Sequence, residues 1–262
     1  MAVLSKLLIK EIEMKKIKYG IIGTGVMGRE HIRNIELIEN AEVVALCDSH
    51  EPSINSSLEI INNNVQVFQN HLELINANIV DAYIIATPNF THIDILKDIV
   101  QTKAHLLVEK PLCTTIDDCM EFKKLANGYP GVIWTAMEYR YMPPVARLIE
   151  EIHNGSIGDL KMLSIREHRF PFLVKVNDWN RFSKNSGGTL VEKCCHFFDL
   201  MRLITQSEVL SVFASGAQNN NHLDESYHGK IPDILDNAFV TLNFENGSRA
   251  MLDLCMFAEN SK

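Results

Sequence analysis

Short apolar runs alternate with stretches of helical spacing through the first half of the chain. In the helical stretches apolar residues recur every three or four positions, as they do at Val26, Ile32, Ile35 and Ile38. The predicted strands are Lys18–Ile22, Glu42–Cys47, Val65–Phe68, Asp81–Ala86, His105–Glu109 and Val132–Met137, and the predicted helices between them include Val26–Asn40, Glu51–Ile61, Thr91–Gln101 and Ile116–Asn127. Strands that alternate with helices predict a doubly wound parallel sheet with right-handed crossovers.

The pattern changes after about residue 150, where longer strand-like runs dominate. These runs are Leu160–Arg169, Glu208–Gln218, Asn237–Asn243 and Ser248–Phe257, with a single helix predicted over Gly187–Ile204. Asn246-Gly247 between two runs indicates a hairpin. We therefore expect an α/β fold with an N-terminal extension (residues 1–15), a doubly wound domain (16–140), and an α+β domain with an open, mainly antiparallel sheet (141–262).

Composition narrows the class of protein. The chain has 262 residues and a net charge of −8, so its surface lacks the excess of Lys and Arg that nucleic acids and anionic membranes require. It has no apolar run of about 18 residues, as a membrane span requires. Six cysteines without a CxxC pair or zinc-finger spacing predict reduced thiols in a cytoplasmic protein without a metal site.

A glycine-rich loop joins the first predicted strand to the first predicted helix. Its residues, Gly23-Thr24-Gly25-Val26-Met27-Gly28, follow the pattern G-x-G-x-x-G. In that pattern the glycines allow a tight turn, a close backbone approach to a pyrophosphate, and close packing of helix on strand. The free N–H groups and the positive end of the helix dipole then face the anion.

An acidic residue supports this interpretation of the loop. Asp48 ends the second predicted strand 20 residues after Gly28, the spacing expected for a carboxylate that binds a ribose hydroxyl. A carboxylate there favours NAD over NADP, because it repels a 2′-phosphate and Ser49 offers no compensating guanidinium. The alternative is that Asp48 is an ordinary turn residue.

Two further motifs follow the fourth and fifth predicted strands. The turn Thr87-Pro88-Asn89 should face the cofactor, because ligands of doubly wound sheets lie at the carboxyl ends of the strands. Gly23-x-Gly25-x-x-Gly28-x-x-His31, Ala86-Thr87-Pro88-Asn89-x-x-His92 and Glu109-Lys110-Pro111 together resemble the glucose–fructose oxidoreductase, inositol dehydrogenase and rhizopine-catabolism (Gfo/Idh/MocA) family. The resemblance extends from about Lys16 to the end of the chain.

The resemblance implies both a fold and an activity. It implies a Rossmann domain, then an α/β domain whose open sheet often carries the oligomer interface. The usual activity is NAD(P)-dependent oxidation of a sugar or cyclitol hydroxyl, or the reverse reduction. Lys110 would lie between the nicotinamide and the reacting oxygen, and His92 and Glu109 would join Thr87, Pro88 and Asn89 at the cofactor.

A second-domain signature also resembles the family. Gly187-Gly188 is followed by Glu192, His196 and Asp199, where family members that act on sugars commonly have Asp in place of Glu192. On one helix these three residues share a face, and carboxylates beside an imidazole raise its basicity. His196 would then be the general base, tuned by Glu192, while Lys110 polarises the reacting oxygen. The alternatives are a polar helix face with a buried structural histidine and, less favoured, a Glu/His/Asp metal site.

Four other residues are candidate substrate contacts together with Asp199. They are Tyr139, Arg140, His168 and Trp179. Arg140 suits a polyol or an acidic group and Trp179 suits the face of a sugar ring, although domain packing explains either residue equally well.

The leading hypothesis is an NAD-dependent dehydrogenase of sugars, cyclitols or related polyols. The alternatives are a redox-neutral, NAD-dependent glycosidase of the same fold and a nucleotide-binding chain without turnover. Family members continue past the point that matches Met251–Lys262, so we also expect a C-terminally truncated chain whose last strand is an unpaired sheet edge. A complete sheet would make the protein a homo-oligomer.

Overall fold

A computed structural model of the chain describes residues 15–258. The predicted N-terminal extension, apart from Lys15, lies outside the described residues. Six strands form a parallel sheet in the order β3-β2-β1-β4-β5-β6, which confirms the predicted doubly wound topology. They are β1 (Ile17–Ile22), β2 (Ala41–Cys47), β3 (Gln66–Phe68), β4 (Ala82–Ile85), β5 (His105–Val108) and β6 (Ile133–Thr135).

Helices connect these strands and cover the sheet. They are α1 (Val26–Glu36), α2 (Glu51–Leu58), α3 (His71–Ala77), α4 (His92–Ile99) and α5 (Ile116–Leu125). The caps follow from local chemistry: the Asn70 side chain accepts from the amide of Leu72, and the Thr115 hydroxyl accepts from the amide of Asp118. Helices α1, α2, α4 and α5 end two to four residues before their predicted last residues. After α1, Leu37 and Ile38 are apolar but exposed, so they contribute no buried surface to a further helical turn.

Helix α6 (Pro143–His153) has no counterpart among the predicted elements. Pro143 and Pro144 begin it, and proline is well tolerated in the first turn of a helix because the missing N–H has no partner there anyway. Two consecutive prolines usually indicate a turn, so the amphipathic pattern after them was not recognised as a helix.

The second sheet contains four strands in the order β7-β10-β9-β8. They are β7 (Met162–His168), β8 (Val209–Ala217), β9 (Asn237–Phe244) and β10 (Arg249–Cys255). Strand β10 pairs antiparallel with β9 and parallel with β7, so the sheet is mixed and the predicted hairpin at Asn246-Gly247 is present. The expectation that the last strand is an unpaired edge is wrong, because β10 lies inside the sheet and the edges are β7 and β8.

The predicted single helix over Gly187–Ile204 is also wrong. The structure has two helices here, α8 (Thr189–Glu192) and α9 (Cys195–Thr205), and the short α7 (Ser183–Ser186) precedes them. The carbonyl of Thr189 accepts from the amides of both Lys193 (3.0 Å) and Cys194 (3.3 Å), so the helical ladder slips by one residue between α8 and α9. Helix α9 then packs Phe197 and Met201 into a core with the inward side chains of β9 and β10.

The chain divides into two compact units, with the boundary between Ile84 and Ile85 within β4. The glycine-rich loop and Asp48 belong to the first unit. Lys110, Glu192 and His196 belong to the second. Across residues 15–258, no helix combines the length and the apolar character needed to cross a membrane.

Candidate functional site

The glycine-rich loop of the first unit requires its glycines for different reasons. Gly23 follows β1 with a φ of +93°, a conformation that favours glycine. A Cβ on Gly28 would lie 2.0 Å from the carbonyl oxygen of Gly23, so only glycine fits between strand and helix. A Cβ on Gly25 would meet no atom within 4 Å, so the backbone at Gly25 faces open space.

The start of helix α1 is open to an anion. Gly25 is its N-cap, no side chain caps it, and its first turn contains no acidic residue. The side chains of Val26 and Met27 are exposed beside it. Unpaired N–H groups and the positive end of the helix dipole fit the pyrophosphate of a dinucleotide, and the space at Gly25 allows the close approach that such a group needs.

Asp48 holds the loop in place. One of its carboxylate oxygens accepts from the Thr24 amide (2.7 Å) and hydroxyl (3.0 Å), and the other accepts from the His50 amide (2.9 Å). Thr24 itself is fully buried, and its carbonyl accepts from Arg29 at 3.0 Å. The carboxylate therefore lies at the phosphate loop, as expected, and ribose binding by Asp48 stays a prediction.

In the second unit, His92 ties two motifs together. Its ring is fully buried, with Nε2 3.1 Å from the carbonyl oxygen of Thr87 and Nδ1 3.0 Å from that of Pro111. Asn89 is buried as well, and its side-chain amide donates to the carbonyl of Ser186 at 3.1 Å. The His92 ring thus links the Thr87 carbonyl to the segment after Lys110, and the Asn89 side chain links its turn to Ser186. Cofactor contacts by either residue stay predictions.

Lys110 reaches the second-domain signature. Its Nζ donates to the backbone carbonyl of Glu192 at 2.9 Å, and its backbone amide donates to Oε2 of Glu109 at 3.1 Å. Glu192 is buried, and its Oε2 has no hydrogen-bond partner. Burial raises the pKa of the Glu192 carboxyl to about 7, against the opposing effect of nearby cations that include Lys110 and Lys175.

His196 lies in the first turn of α9 and is buried, with 2% of its surface exposed. Its Nδ1 has no hydrogen-bond partner, and its Nε2 lies 3.4 Å from Oε1 of Glu138. The Tyr139 ring stacks on the imidazole, with centroids 4.1 Å apart and planes 6° apart. Burial, followed by the charges of Lys110 and Lys193, lowers the pKa of His196 to about 3.

The expectation that carboxylates of its own helix raise the basicity of His196 is therefore wrong. Glu192 lies before the slip in the ladder, on α8. Asp199 is paired with Arg140, whose Nε donates to its Oδ2 at 2.5 Å while Nη2 donates to Oδ1. Burial and the charges of Lys110 and Lys193 favour the neutral imidazole, and they outweigh the nearby Glu138 carboxylate, which is half exposed.

Two of the predicted substrate contacts have other surroundings. Strand β7 alternates its faces, and Glu167 points to the α9 side, where it lies 3.1 Å from Lys193. His168 therefore points to the opposite face, where its Nε2 lies 3.0 Å from Oδ1 of Asp253, away from the Glu167–Lys193 pair; its role as a substrate contact stays a prediction. Trp179 makes an edge-to-face contact with Phe90 at 6.4 Å, which is compatible with either of its predicted roles.

Three residues of this cluster were missed by sequence reasoning. Glu138 approaches His196, Lys193 donates to the hydroxyl of Tyr139 at 2.6 Å, and Glu167 pairs with Lys193. The sequence did contain a signal for Lys193. It is a charged residue next to the apolar Cys194-Cys195 and just before an apolar helix face, which indicates a buried charge with a partner. Within residues 15–258, no three His, Cys, Asp or Glu side chains form a group that could hold a metal ion.

Comparison with known proteins places this geometry in context. A family model described as an oxidoreductase family with an NAD-binding Rossmann fold matches residues 17–136, and one described as its C-terminal alpha/beta domain matches residues 149–262. An uncharacterized oxidoreductase, YrbE, of Bacillus subtilis is 28% identical over 91% of this chain and 67% of its own length.

A curated relative and a solved structure, both from Thermotoga maritima, are also similar. A myo-inositol 2-dehydrogenase is 27% identical over 90% of this chain and 68% of its own length. The crystal structure of a probable dehydrogenase matches with a TM-score of 0.79 and 28% identity, over 92% of this chain and 69% of that chain. The chain thus spans about two thirds of the length of these relatives.

Proposed function

The chain belongs to the Gfo/Idh/MocA oxidoreductase family, and we propose that it transfers hydride between NAD and a hydroxyl-bearing carbon of a sugar, cyclitol or related polyol. The similarity to a myo-inositol 2-dehydrogenase supports the substrate class. The observation that carries the proposal is the convergence of Lys110, Glu192 and His196 in the second unit. There, two buried polar atoms, Oε2 of Glu192 and Nδ1 of His196, have no partner in the protein.

Such orphaned atoms point to a ligand. A buried polar group without a partner costs about 1–3 kcal/mol, so proteins retain few of them outside functional sites. Unpartnered polar atoms on two side chains, together with the Lys110 ammonium, suit a substrate with several hydroxyl groups, each of which both donates and accepts hydrogen bonds.

NAD is the proposed cofactor, held by the loop Gly23–Gly28 and by Asp48. Bound NAD supplies the acceptor or donor of hydride. The unpaired amides of α1 suit its pyrophosphate, and the carboxylate of Asp48 suits a ribose diol and disfavours a 2′-phosphate. Thr87, Pro88 and Glu109 are proposed as further cofactor contacts on the family pattern.

The residues of the second unit then move the proton. His196 is neutral at pH 7, so a ring nitrogen is available to accept the hydroxyl proton of the substrate. The Lys110 ammonium stabilises the negative charge that develops on the same oxygen. A developing alkoxide beside the imidazole raises its pKa, which opposes the effect of the two lysines at the moment of proton transfer.

Tyr139 and Trp179 are proposed to contact the substrate through their rings. Arg140 and Asp199 are proposed as substrate contacts as a pair: Nε and Nη2 of Arg140 hold Asp199, and its Nη1 is not used in that pair. We also propose a cytoplasmic location, no association with nucleic acid, and assembly of copies through the outer face of the second sheet, where Phe213 and Phe239 are exposed.

Turnover measurements test the proposed function. We expect Lys110→Ala and His196→Ala each to lower kcat by about 10²–10³-fold on a responsive sugar or inositol, while NAD binding measured by calorimetry persists. Lys161→Ala is the matched control. It removes an exposed lysine that pairs with Asp159 instead of with a site residue, and it should leave kcat unchanged.

Near-normal turnover in both active-site variants would refute these roles. Net NADH formation from a free polyol is the expected product signal across the substrate panel. Release of an aglycone without net NADH would instead identify the redox-neutral reaction.

A further inference from the structure

Lys193 is a buried lysine whose ammonium has a counter-charge, a hydroxyl and two aromatic rings around it. Only 8% of its side chain is exposed, and its Nζ lies 3.1 Å from Oε1 of Glu167 and 2.6 Å from the hydroxyl of Tyr139. The same nitrogen lies 5.0 Å from the centre of the Tyr139 ring and 5.5 Å from that of Phe197. A lysine is seldom buried this deeply without a reason, because removing its charge from water is costly.

Tyr139 connects Lys193 to His196. Its hydroxyl is held by Lys193, and its ring lies flat on the imidazole at 4.1 Å. A tyrosine fixed at both ends cannot rotate away, so it restricts the plane of the His196 ring. Tyr139 also contacts Phe197 edge to face at 5.8 Å, which fixes it against α9.

The charged groups that face His196 come from three other segments. Lys110 follows β5, Lys193 lies between α8 and α9, and Glu138 lies in the 3₁₀ turn Glu138–Tyr141. Glu138 is half exposed and therefore screened by water, whereas Lys193 is buried. The Glu167 carboxylate on β7 balances the charge of Lys193 from the side away from Tyr139.

We propose that Lys193 is a positioning residue of the reaction: it fixes the Tyr139 ring against His196, and its buried positive charge holds the imidazole in the neutral form that accepts a proton. This inference rests on the proposed role of His196 as base. The lowered pKa of His196, caused by burial and then by Lys110 and Lys193, has the direction that this arrangement requires. Glu167 keeps the ammonium in place without itself contacting the imidazole.

The test measures the protonation of His196. NMR follows the His196 ring signals of the ligand-free protein against pH, and their absence in His196→Gln assigns them. We expect Lys193→Met to raise the midpoint of His196 protonation by about one pH unit or more, because a like charge is removed at short range in a poorly hydrated site. The acidic limb of the kcat profile should move in the same direction. Lys193→Arg retains the charge and should leave the midpoint nearly unchanged.

Two further variants separate charge from packing. Lys193→Gln keeps a hydrogen-bond donor toward Tyr139 and should raise the midpoint as Lys193→Met does; it decides the question if Lys193→Met folds poorly. Glu167→Gln removes a negative charge and should leave the midpoint unchanged or lower it. Lys161→Met, at an exposed site, should have no effect.

An unchanged midpoint in both Lys193→Met and Lys193→Gln would overturn the proposal. A rise in Glu167→Gln as large as in Lys193→Met would also overturn it, because a purely structural role predicts the same response from both partners. The NMR titration needs no substrate. If His196→Ala retained turnover, the proposed base would therefore fail on its own while the effect of Lys193 on the imidazole was still measured.

Discussion

The glycine-rich loop of the first unit and the lysine–histidine cluster of the second are built in opposite ways. The loop consists of backbone: consecutive residues expose amides at the start of α1, and its side chains add little except at Asp48. The cluster consists of side chains from Lys110, the Glu138–Tyr141 turn, β7 and the α8–α9 junction. One is encoded within six residues, the other by the tertiary fold.

The difference also appears in how each tolerates burial. The loop leaves its free amides at an exposed helix end, where water satisfies them. The cluster buries Glu192 and His196, each with a polar atom that lacks a partner. The pKa of Glu192 is raised and that of His196 is lowered, so each side chain favours its neutral form. The first arrangement costs the fold little, whereas the second trades stability for reactivity.

The largest expected effect distinguishes packing from binding within the loop. We expect Gly28→Ala to destabilise the protein by on the order of 3 kcal/mol and to abolish NAD binding, because its Cβ would lie 2.0 Å from the carbonyl oxygen of Gly23. Urea unfolding and calorimetric titration with NAD measure the two effects.

Gly25→Ala is the matched control. Its φ of −66° suits alanine and its Cβ meets no protein atom, so stability should change by about 0.5 kcal/mol or less. NAD affinity should still fall by about tenfold or more, because the methyl group occupies the space proposed for the pyrophosphate. Equal stability of the two variants would show that the loop is not packed as described.

The two regions also differ in how far sequence could predict them. The glycine pattern and Asp48 sit at fixed local spacing, so their placement followed from the residues alone. The break in the helix over Gly187–Ile204 did not, because its apolar pattern does not show the slip at Thr189–Cys194, which appears only in the backbone hydrogen bonds. The face on which His168 lies could not be predicted for a similar reason: alternation gives two faces to β7, and only the tertiary packing decides which face holds Glu167.

The next effect is a pH dependence of stability with opposite signs at Glu192 and His196. Burial raises the pKa of Glu192 to about 7, so the unfolded chain loses this proton at lower pH than the folded chain, and stability falls as pH rises from about 4.5 to 7. The full contribution is on the order of 3 kcal/mol. The pKa of His196 is lowered to about 3, so the unfolded chain binds this proton at higher pH than the folded chain. The free energy of unfolding therefore falls as pH decreases from about 6.5 to 3.

Single substitutions should separate these slopes. Glu192→Gln has no carboxyl to ionise, so its free energy of unfolding should not fall between pH 4.5 and 7. Its advantage in stability over wild type should therefore be larger at pH 8 than at pH 4. His196→Gln should lose the fall in stability below pH 6.5 and keep the fall between pH 4.5 and 7. Chemical unfolding at a series of pH values gives both curves, and a Glu192→Gln curve parallel to that of wild type would contradict the raised pKa.

The smallest expected effect tests the boundary of the cluster at β7. His168 is adjacent to Glu167 in sequence but points to the other face of the sheet, where it pairs with Asp253 beside Arg166. We expect His168→Ala to change kcat/KM by less than about twofold and stability by about 0.5 kcal/mol or less, because an exposed ion pair contributes little.

Glu167→Ala, one residue away, should destabilise the protein strongly, because it leaves the buried Lys193 ammonium without its counter-charge. Steady-state kinetics and urea unfolding of the pair compare the two faces directly. A tenfold loss of kcat/KM in His168→Ala would mean that the outer face of the sheet takes part in the reaction, and that the cluster extends beyond the side chains that contact α9.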